Sequence, residues 1–113
     1  MRITTESYGH AVVLIMEGEL TVDSLGAFRQ AVEHQLEGKE VVDLVLNMEH
    51  VPFVDSAGLE YLLDLQDQLA ERLGQVKLLH PDENVRKVLE ITRLEPQFEV
   101  LTDAAEAVKV MRG

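Results

Sequence analysis

Residues 51–59 place one hydroxyl at a junction where its chemistry has several possible uses. An apolar run leads into Asp55 and Ser56, and two small residues, Ala57 and Gly58, then lead into a leucine-rich helical pattern. A serine in such a position can act as a helix cap, as a nucleophile or as an acceptor of a phosphate group. The three roles require different neighbours, so the flanking residues can be tested against each role.

Nucleophilic catalysis is disfavoured by the residues on either side of Ser56. A hydrolase serine on a strained strand-to-helix turn is typically set in a Gly-x-Ser-x-Gly motif. Here Val54 occupies the upstream glycine position, and only Gly58 matches the pattern. His50 and His80 follow predicted strands and could approach the hydroxyl as a base, but neither stands in a recognisable triad setting. A small hydrolase is therefore the weakest functional hypothesis, and we expect no catalytic residue.

Capping and phosphate acceptance both fit the local sequence. Asp and Ser are preferred N-cap residues because their side-chain oxygens accept hydrogen bonds from the first turn of a helix. If Asp55 is the cap, Ser56 becomes the first helical residue and its hydroxyl is left free. Loops that follow buried strands at the carboxyl edge of an α/β sheet carry function, and Ala57 and Gly58 would let another protein approach closely. The local sequence leaves both roles open.

The composition indicates one globular domain and restricts its partners. The chain has 113 residues, of which 46% are hydrophobic, so we expect a single domain over residues 1–113. The net charge of −11 argues against nucleic acid and anionic membrane surfaces, since both are bound through Lys and Arg. The chain has no signal-peptide pattern, no apolar run of membrane length and no Cys. These features predict a soluble, cytoplasmic protein without direct membrane insertion.

Strands and helices alternate along the chain after an opening hairpin. Apolar periodicity predicts a hairpin over 2–18, strands over 41–48, 75–80 and 98–101, and a long helix over 56–73. The expected helix caps are Thr21 or Asp23, Asp55 or Ser56, Asp82 or Asn84, and Thr102 or Asp103, and the expected stops are Gly38 and Gly74. This order predicts an α/β fold with a mixed, mostly parallel sheet and about four α-helices.

Two surface features each have two interpretations. Glu60, Asp64, Asp67 and Glu71 recur at helical spacing, which is typical of a solvated face but also suits a docking surface for a basic partner. Such a stripe does not converge on one point, as the octahedral coordination of Mg²⁺ requires, so we expect no metal. Phe53 is expected to pack inward at the end of its strand, with a role as an interface anchor as the alternative.

Four segments, taken in order, resemble the STAS domain family, and more narrowly the bacterial anti-sigma factor antagonists. They are Gly18-Glu19-Leu20, Val45-Leu46-Asn47-Met48, Val54-Asp55-Ser56-Ala57-Gly58-Leu59 and Asn84-Val85-Arg86-Lys87-Val88-Leu89. The similarity covers nearly the whole chain. It implies a single-domain STAS-like fold.

The resemblance implies a binding module that switches partners, not an enzyme. In the family, the serine of Asp-Ser-x-Gly is phosphorylated by an anti-sigma factor that is itself a serine kinase using Mg-ATP. The unmodified antagonist binds that kinase and frees the sigma factor, and a phosphoserine phosphatase resets the cycle. Carried over, Ser56 is the phosphorylation site and no cofactor is needed. The implied partner-binding residues are Asp55, Ser56, Ala57, Gly58, Thr21, Asp23 and Glu60, with Thr21 standing where many relatives have Asp.

A second function of the same fold stays open. STAS domains also occur as small cytoplasmic subunits of ABC-type lipid transport systems and as modules of other signalling complexes. In such a protein Ser56 would be only a helix cap, and Ser56→Ala would leave the function nearly intact.

Overall fold

A five-stranded sheet with helices packed on it forms the described part of the chain, residues 1–37 and 41–101 of a computed structural model. The strands are β1 (Arg2–Tyr8), β2 (Ala11–Glu17), β3 (Asp43–His50), β4 (Val76–Leu79) and β5 (Glu99–Leu101). The helices are α1 (Leu25–Leu36), α2 (Ser56–Ala70) and α3 (Glu83–Ile91), and a short 3₁₀ turn covers Glu95–Gln97.

The strands lie in the sheet in the same order as in the chain. β1 and β2 form the predicted antiparallel hairpin, and β2, β3, β4 and β5 are parallel neighbours. Parallel neighbours need a crossover between them, and α1, α2 and α3 supply these crossovers. The predicted α/β class, with a mixed and mostly parallel sheet, is confirmed. The terminal helix predicted after Thr102 or Asp103, and the stop at Gly38, lie outside the described residues.

The central strands are buried on both faces. Leu14, Leu46 and Leu78 are neighbours in register across β2, β3 and β4, and all three are fully buried against the helices. A second apolar cluster contains residues of the opposite face, namely Val13, Val45, Leu79 and Leu101. A strand covered on both sides has no polar face, which explains the nearly continuous apolar runs in the sequence.

The start of α1 differs from the prediction. Neither Thr21 nor Asp23 caps the helix, because Ser24 precedes its first residue and makes no side-chain cap bond. The Ser24 hydroxyl instead accepts a hydrogen bond from the Thr21 N–H (3.0 Å) and donates one to the Glu19 carbonyl (2.7 Å). Residues 21–24 therefore form a closed turn before the helix begins.

The end of α2 also differs from the prediction. The helix ends at Ala70 rather than Leu73, and the left-handed residue is Leu73, with φ 63°, rather than Gly74. The Gly74 N–H donates to the Leu69 carbonyl (2.8 Å), which closes the helix end. Gly74 is required for a different reason, since a Cβ there would overlap the Val42 carbonyl.

The third helix begins where the sequence indicates. The Asp82 side chain accepts a hydrogen bond from the Asn84 N–H (2.8 Å) and caps α3. Val85 and Leu89 are buried, as predicted for its inner face. Thr92, predicted on the same face, is exposed, and its hydroxyl donates back to the Val88 carbonyl (2.7 Å).

Candidate functional site

The candidate site forms where two loops at the carboxyl ends of β2 and β3 meet. The Leu20 N–H donates to the Phe53 carbonyl (2.9 Å), and the Asp55 N–H donates to the Leu20 carbonyl (3.1 Å). Leu20 and Val54 thereby form an isolated parallel bridge that extends the β2–β3 pairing beyond the strand ends. Leu20 and Val54 are also buried. The two loops are therefore held together by backbone hydrogen bonds as well as by apolar contacts.

Asp55 links the two loops through its carboxylate. One oxygen, Oδ1, accepts a hydrogen bond from the Gly58 N–H (2.8 Å) and caps α2. The other, Oδ2, accepts one from the Val22 N–H (2.9 Å) in the other loop. The N–H groups of Gly58 and then Val22 hold the pKa of the Asp55 carboxyl below its ordinary value of 3.8, because they stabilise the ionised form. Asp55 is therefore both a helix cap and a tertiary connection.

Gly58 is needed because the other loop lies too close for a side chain. A Cβ at this position would lie 2.8 Å from the Leu20 carbonyl oxygen and 2.9 Å from Val54 Cγ1. Both atoms belong to the paired segment described above, so neither can move independently. The small residue predicted to admit a partner in fact admits the protein's own backbone, because Gly58 is buried.

Ser56 is the first residue of α2, and its side chain is free. The residue is exposed, and among the described residues its hydroxyl makes no hydrogen bond. In particular it is not paired with His50 or His80, as a nucleophile and its base would be. The hypothesis that Ser56 is itself the cap is wrong, because Asp55 takes that role.

The remaining predicted partner-binding residues surround this junction with different exposure. Asp23 and Glu60 are exposed, and Thr21 and Ala57 are half-buried. Both exposed residues are acids, so the accessible surface near Ser56 carries negative charge.

Two apolar residues add to this surface; for Phe53 the sequence offered an interface role only as the alternative, and for Val22 it offered none. Phe53 was expected to pack inward, and that prediction is wrong, because 46% of its surface is exposed. Val22 was not considered, and 67% of its surface is exposed. Its position between Thr21 and Asp23, in a loop predicted to start a helix, was the available signal. By contrast Val54, the neighbour of Phe53, is buried as predicted.

The acidic stripe lies on the outer face of α2. Its four residues, Glu60, Asp64, Asp67 and Glu71, are all exposed. Within residues 1–37 and 41–101, no group of three or more His, Asp or Glu side chains is placed to hold a metal ion. In the same part of the chain, no helix has both the length and the apolar character needed to cross a membrane.

The sequence matches the family model of the STAS domain over residues 2–107. The chain therefore belongs to the STAS domain family.

Individual relatives place the chain close to the anti-sigma factor antagonists within that family. It is 28% identical over 102 residues to an anti-sigma F factor antagonist of Lysinibacillus sphaericus, covering 90% of this chain and 86% of that one. It is 26% identical, with a TM-score of 0.84, to the anti-sigma factor antagonist SpoIIAA in its unphosphorylated form. That alignment covers 99% of this chain and 97% of the other.

The same fold also occurs within a much larger protein. A murine anion transporter of the solute carrier 26 family, in its inward-facing state, aligns with a TM-score of 0.77 and 20% identity. The alignment covers 95% of this chain but only 18% of the transporter. At this identity the similarity shows the fold alone.

Proposed function

We propose that this protein is a cytoplasmic anti-sigma factor antagonist, built as one STAS domain over residues 1–113, that switches partners through Ser56. In its unphosphorylated state it binds an anti-sigma factor serine kinase, and the kinase releases its sigma factor. Phosphorylation of Ser56 ends that binding. A phosphoserine phosphatase restores the first state, and the protein itself catalyses no reaction.

The exposed, unbonded hydroxyl of Ser56 is the observation that carries this proposal. Asp55 supplies the helix cap and Gly58 supplies the close approach between loops, so neither task falls to Ser56. An exposed serine with no role in the fold is accessible to a kinase. The similarity to antagonists of anti-sigma factors supports an anti-sigma factor as the partner, and the kinase activity of that partner is part of the proposal.

The transfer step is chemically simple for this site. The Ser56 Oγ attacks the γ-phosphorus of Mg-ATP held by the kinase, the bond to the β-phosphate oxygen breaks, and ADP leaves while the hydroxyl proton goes to a base of the kinase. The phosphatase later uses water to return the serine and inorganic phosphate. Every cofactor in this cycle belongs to the partners.

A phosphate on Ser56 is compatible with the fold. It adds a charge of about −1.5 to −2 at neutral pH, and the amino terminus of a helix favours negative charge. The hydroxyl makes no hydrogen bond among the described residues that the modification would break. The expected effect of phosphorylation is therefore on binding and not on folding.

The proposal is tested with the purified kinase of the anti-sigma class and four forms of this protein. Wild type and Ser56→Ala are expected to bind the kinase in the presence of Mg-ADP, and Ser56→Asp is expected to bind at least about tenfold more weakly. Ser7→Asp is the matched control, because Ser7 is also exposed but lies in β1 opposite Val12, at the far end of the hairpin from Ser56. With Mg-ATP, mass spectrometry is expected to find phosphate on wild type and none on Ser56→Ala.

Failure of wild type to bind any such kinase, or phosphorylation at a residue other than Ser56, would overturn the proposal. Equal binding of wild type and Ser56→Asp would also contradict it. Ser7→Asp reports any general effect of an added charge.

A second candidate is a STAS subunit of an ABC-type lipid transport system or of another complex. The fold is compatible with this candidate, since it also occurs inside a murine anion transporter. In that case Ser56 has no switching role, and Ser56→Ala and Ser56→Asp are both expected to retain the partner. Co-purification with a transport ATPase, unchanged by either substitution, distinguishes this candidate from the first.

A further inference from the structure

Two large apolar side chains are exposed on the two loops that meet at Ser56. Val22 exposes 67% of its surface and Phe53 exposes 46%. Their apolar neighbours in the same loops, Leu20, Val51 and Val54, are buried at 0–2%. The loops therefore keep most of their apolar residues inside and leave one on each loop outside. The exposed parts of these two side chains are not used to pack the fold.

The backbones of both exposed residues are held in place. The Val22 N–H donates to Asp55 Oδ2 (2.9 Å), and the Phe53 carbonyl accepts from the Leu20 N–H (2.9 Å). Binding through groups that are already positioned loses less conformational entropy than binding through mobile loops. Aromatic residues are also enriched among the residues that dominate the energy of protein interfaces. The two side chains thus have the properties of binding anchors.

The charges around the two anchors have one sign. Residues 17–24 and 49–60, which comprise both loops and the adjoining ends of β2, β3 and α2, contain several acids but no Lys or Arg. Asp23 and Glu60 are exposed among them. A partner surface complementary to this one has apolar pockets at its centre and Lys or Arg at its rim. A second copy of this chain, with its own net charge of −11, does not offer that rim.

We propose that Val22 and Phe53 are the apolar anchors of the kinase-binding surface, and that they enter an apolar pocket of the kinase bordered by basic residues. This proposal rests on the proposed function, and in it Val22 and Phe53 supply affinity for the kinase. Phosphorylation of Ser56 then acts on the same contact. A phosphate at Ser56 lies beside the apolar contact and must lose water when the kinase docks.

Desolvation and charge repulsion respond differently to salt. The Debye length falls from about 10 Å at 0.1 M salt to about 3 Å at 1 M salt, so repulsion between accessible charges is largely screened at the higher concentration. The cost of removing water from a charged group in a closed apolar contact is not screened in this way. The inhibition by a charge at Ser56 is therefore expected to persist at high salt.

The test measures the dissociation constant of the purified anti-sigma factor serine kinase for wild type, Val22→Ser and Phe53→Ser. Each substitution is expected to weaken binding by about tenfold or more. Ile91→Ser is the matched control, because Ile91 is exposed (81%) on α3, outside both loops, and we expect it to change binding by less than about twofold. Because Phe53 is half-covered, thermal unfolding of each variant is measured first, and Val22→Ser gives the result if Phe53→Ser does not fold.

The salt experiment tests the assigned mechanism with wild type and Ser56→Asp at about 0.1 M and about 1 M NaCl. The ratio of their dissociation constants is expected to stay within about threefold between the two concentrations. A ratio that falls to about one at the higher concentration would show that repulsion, not desolvation, is the mechanism. Asp23→Asn and Glu60→Gln are expected to slow association at low salt and to leave dissociation nearly unchanged.

The outcomes separate this inference from the proposed function. If wild type does not bind the kinase, the proposed function fails. If wild type binds and Ser56→Asp does not, but Val22→Ser and Phe53→Ser bind as wild type does, only the assignment of the anchors is overturned.

Discussion

The two ends of α2 are held in place by different interactions. At the amino end, the Asp55 carboxylate accepts hydrogen bonds from the N–H groups of Gly58 and Val22. At the carboxyl end, Gly74 lies directly against the Val42 carbonyl, with no room for a Cβ. Gly58 makes a similar close contact at the amino end, so the feature that distinguishes that end is the Asp55 carboxylate, which binds both its own helix and the facing loop.

The difference determines which end can carry a modification. Because the Asp55 carboxylate already accepts from a first-turn N–H, that of Gly58, the next side chain, Ser56, has no capping task. At the carboxyl end, the side chain two residues beyond the helix is in use, because Arg72 donates through Nη1 to the Val41 carbonyl (3.1 Å) and through Nη2 to the Leu36 carbonyl (3.4 Å). The free hydroxyl of Ser56 therefore lies at the end of α2 where the neighbouring residue, Asp55, supplies the side-chain cap.

The largest effect is expected at the carboxyl end. Gly74→Ala would place a methyl group on the Val42 carbonyl, and the backbone must shift to relieve the overlap. We expect a loss of about 3 kcal/mol in the free energy of unfolding, measured by urea denaturation. Gly26→Ala in α1 is the control, because no atom lies within 4 Å of its Cβ position, and it is expected to gain about 0.5 kcal/mol. A loss below about 1 kcal/mol for Gly74→Ala would mean that this end is not sterically fixed.

A smaller effect is expected from the corresponding glycine at the amino end. Gly58→Ala brings a methyl group to 2.8 Å from the Leu20 carbonyl oxygen, and the paired segments of the two loops must shift together to relieve the overlap. We expect a loss of about 1–2 kcal/mol. The shift is also expected to change the NMR resonance of the Val22 amide, because the loop movement carries this amide away from the Asp55 carboxylate. Wild-type stability with an unchanged Val22 resonance would show that the two loops are not coupled through this contact.

The contribution of Asp55 to the amino end of α2 depends on pH. Because the pKa of Asp55 is lowered in the folded state, its contribution to stability is present above the ordinary value of 3.8 and is lost as pH falls through the lower folded value. The difference in unfolding free energy between wild type and Asp55→Asn is therefore expected to be constant near neutral pH and to shrink below about pH 4. Asp23→Asn, which removes an exposed acid of the facing loop, is expected to destabilise less at neutral pH. A difference that grows on acidification would contradict the assignment.

The smallest effect is expected at Leu73, and it has the opposite sign. Leu73 adopts a left-handed backbone conformation with φ 63° and exposes 96% of its surface. Replacing it with glycine therefore relieves backbone strain and removes almost no buried surface. Leu73→Gly is expected to raise the free energy of unfolding by about 0.5–1 kcal/mol, measured by urea denaturation. The unfolding free energy of Leu73→Asn is expected to lie between those of wild type and Leu73→Gly. A decrease for Leu73→Gly would mean that the side chain makes a stabilising contact.

The fold could be predicted from the sequence because its signals are local or periodic. The leucines at helical spacing in α2 and the continuous apolar runs of β2 and β3 each fix one element and its buried side. The position of Ser56 after a strand and before a helix followed from the same patterns. Asp82 was identified as a possible cap because capping acts within one turn.

The parts that could not be predicted depend on contacts between distant residues. The Oδ2 atom of Asp55 bonds to Val22, 33 positions away, and nothing in either segment indicates that pairing. Gly58 looked like an opening for a partner because its close neighbour, Leu20, belongs to another loop. Phe53 was expected inside because apolar residues usually are, and its exposure depends on how the loop is held by Leu20.

The pairing of Leu20 with Phe53 and Asp55 has a consequence for local unfolding. Both hydrogen bonds share one residue, so a fluctuation that releases Leu20 breaks both of them in one step. Val22, Phe53 and Ser56 would then be displaced together, and the surface would be lost as a unit instead of weakening residue by residue. Amide exchange of Leu20 and Asp55 with solvent deuterium is accordingly expected to show a common protection factor, which reports the fraction of time that the surface is absent.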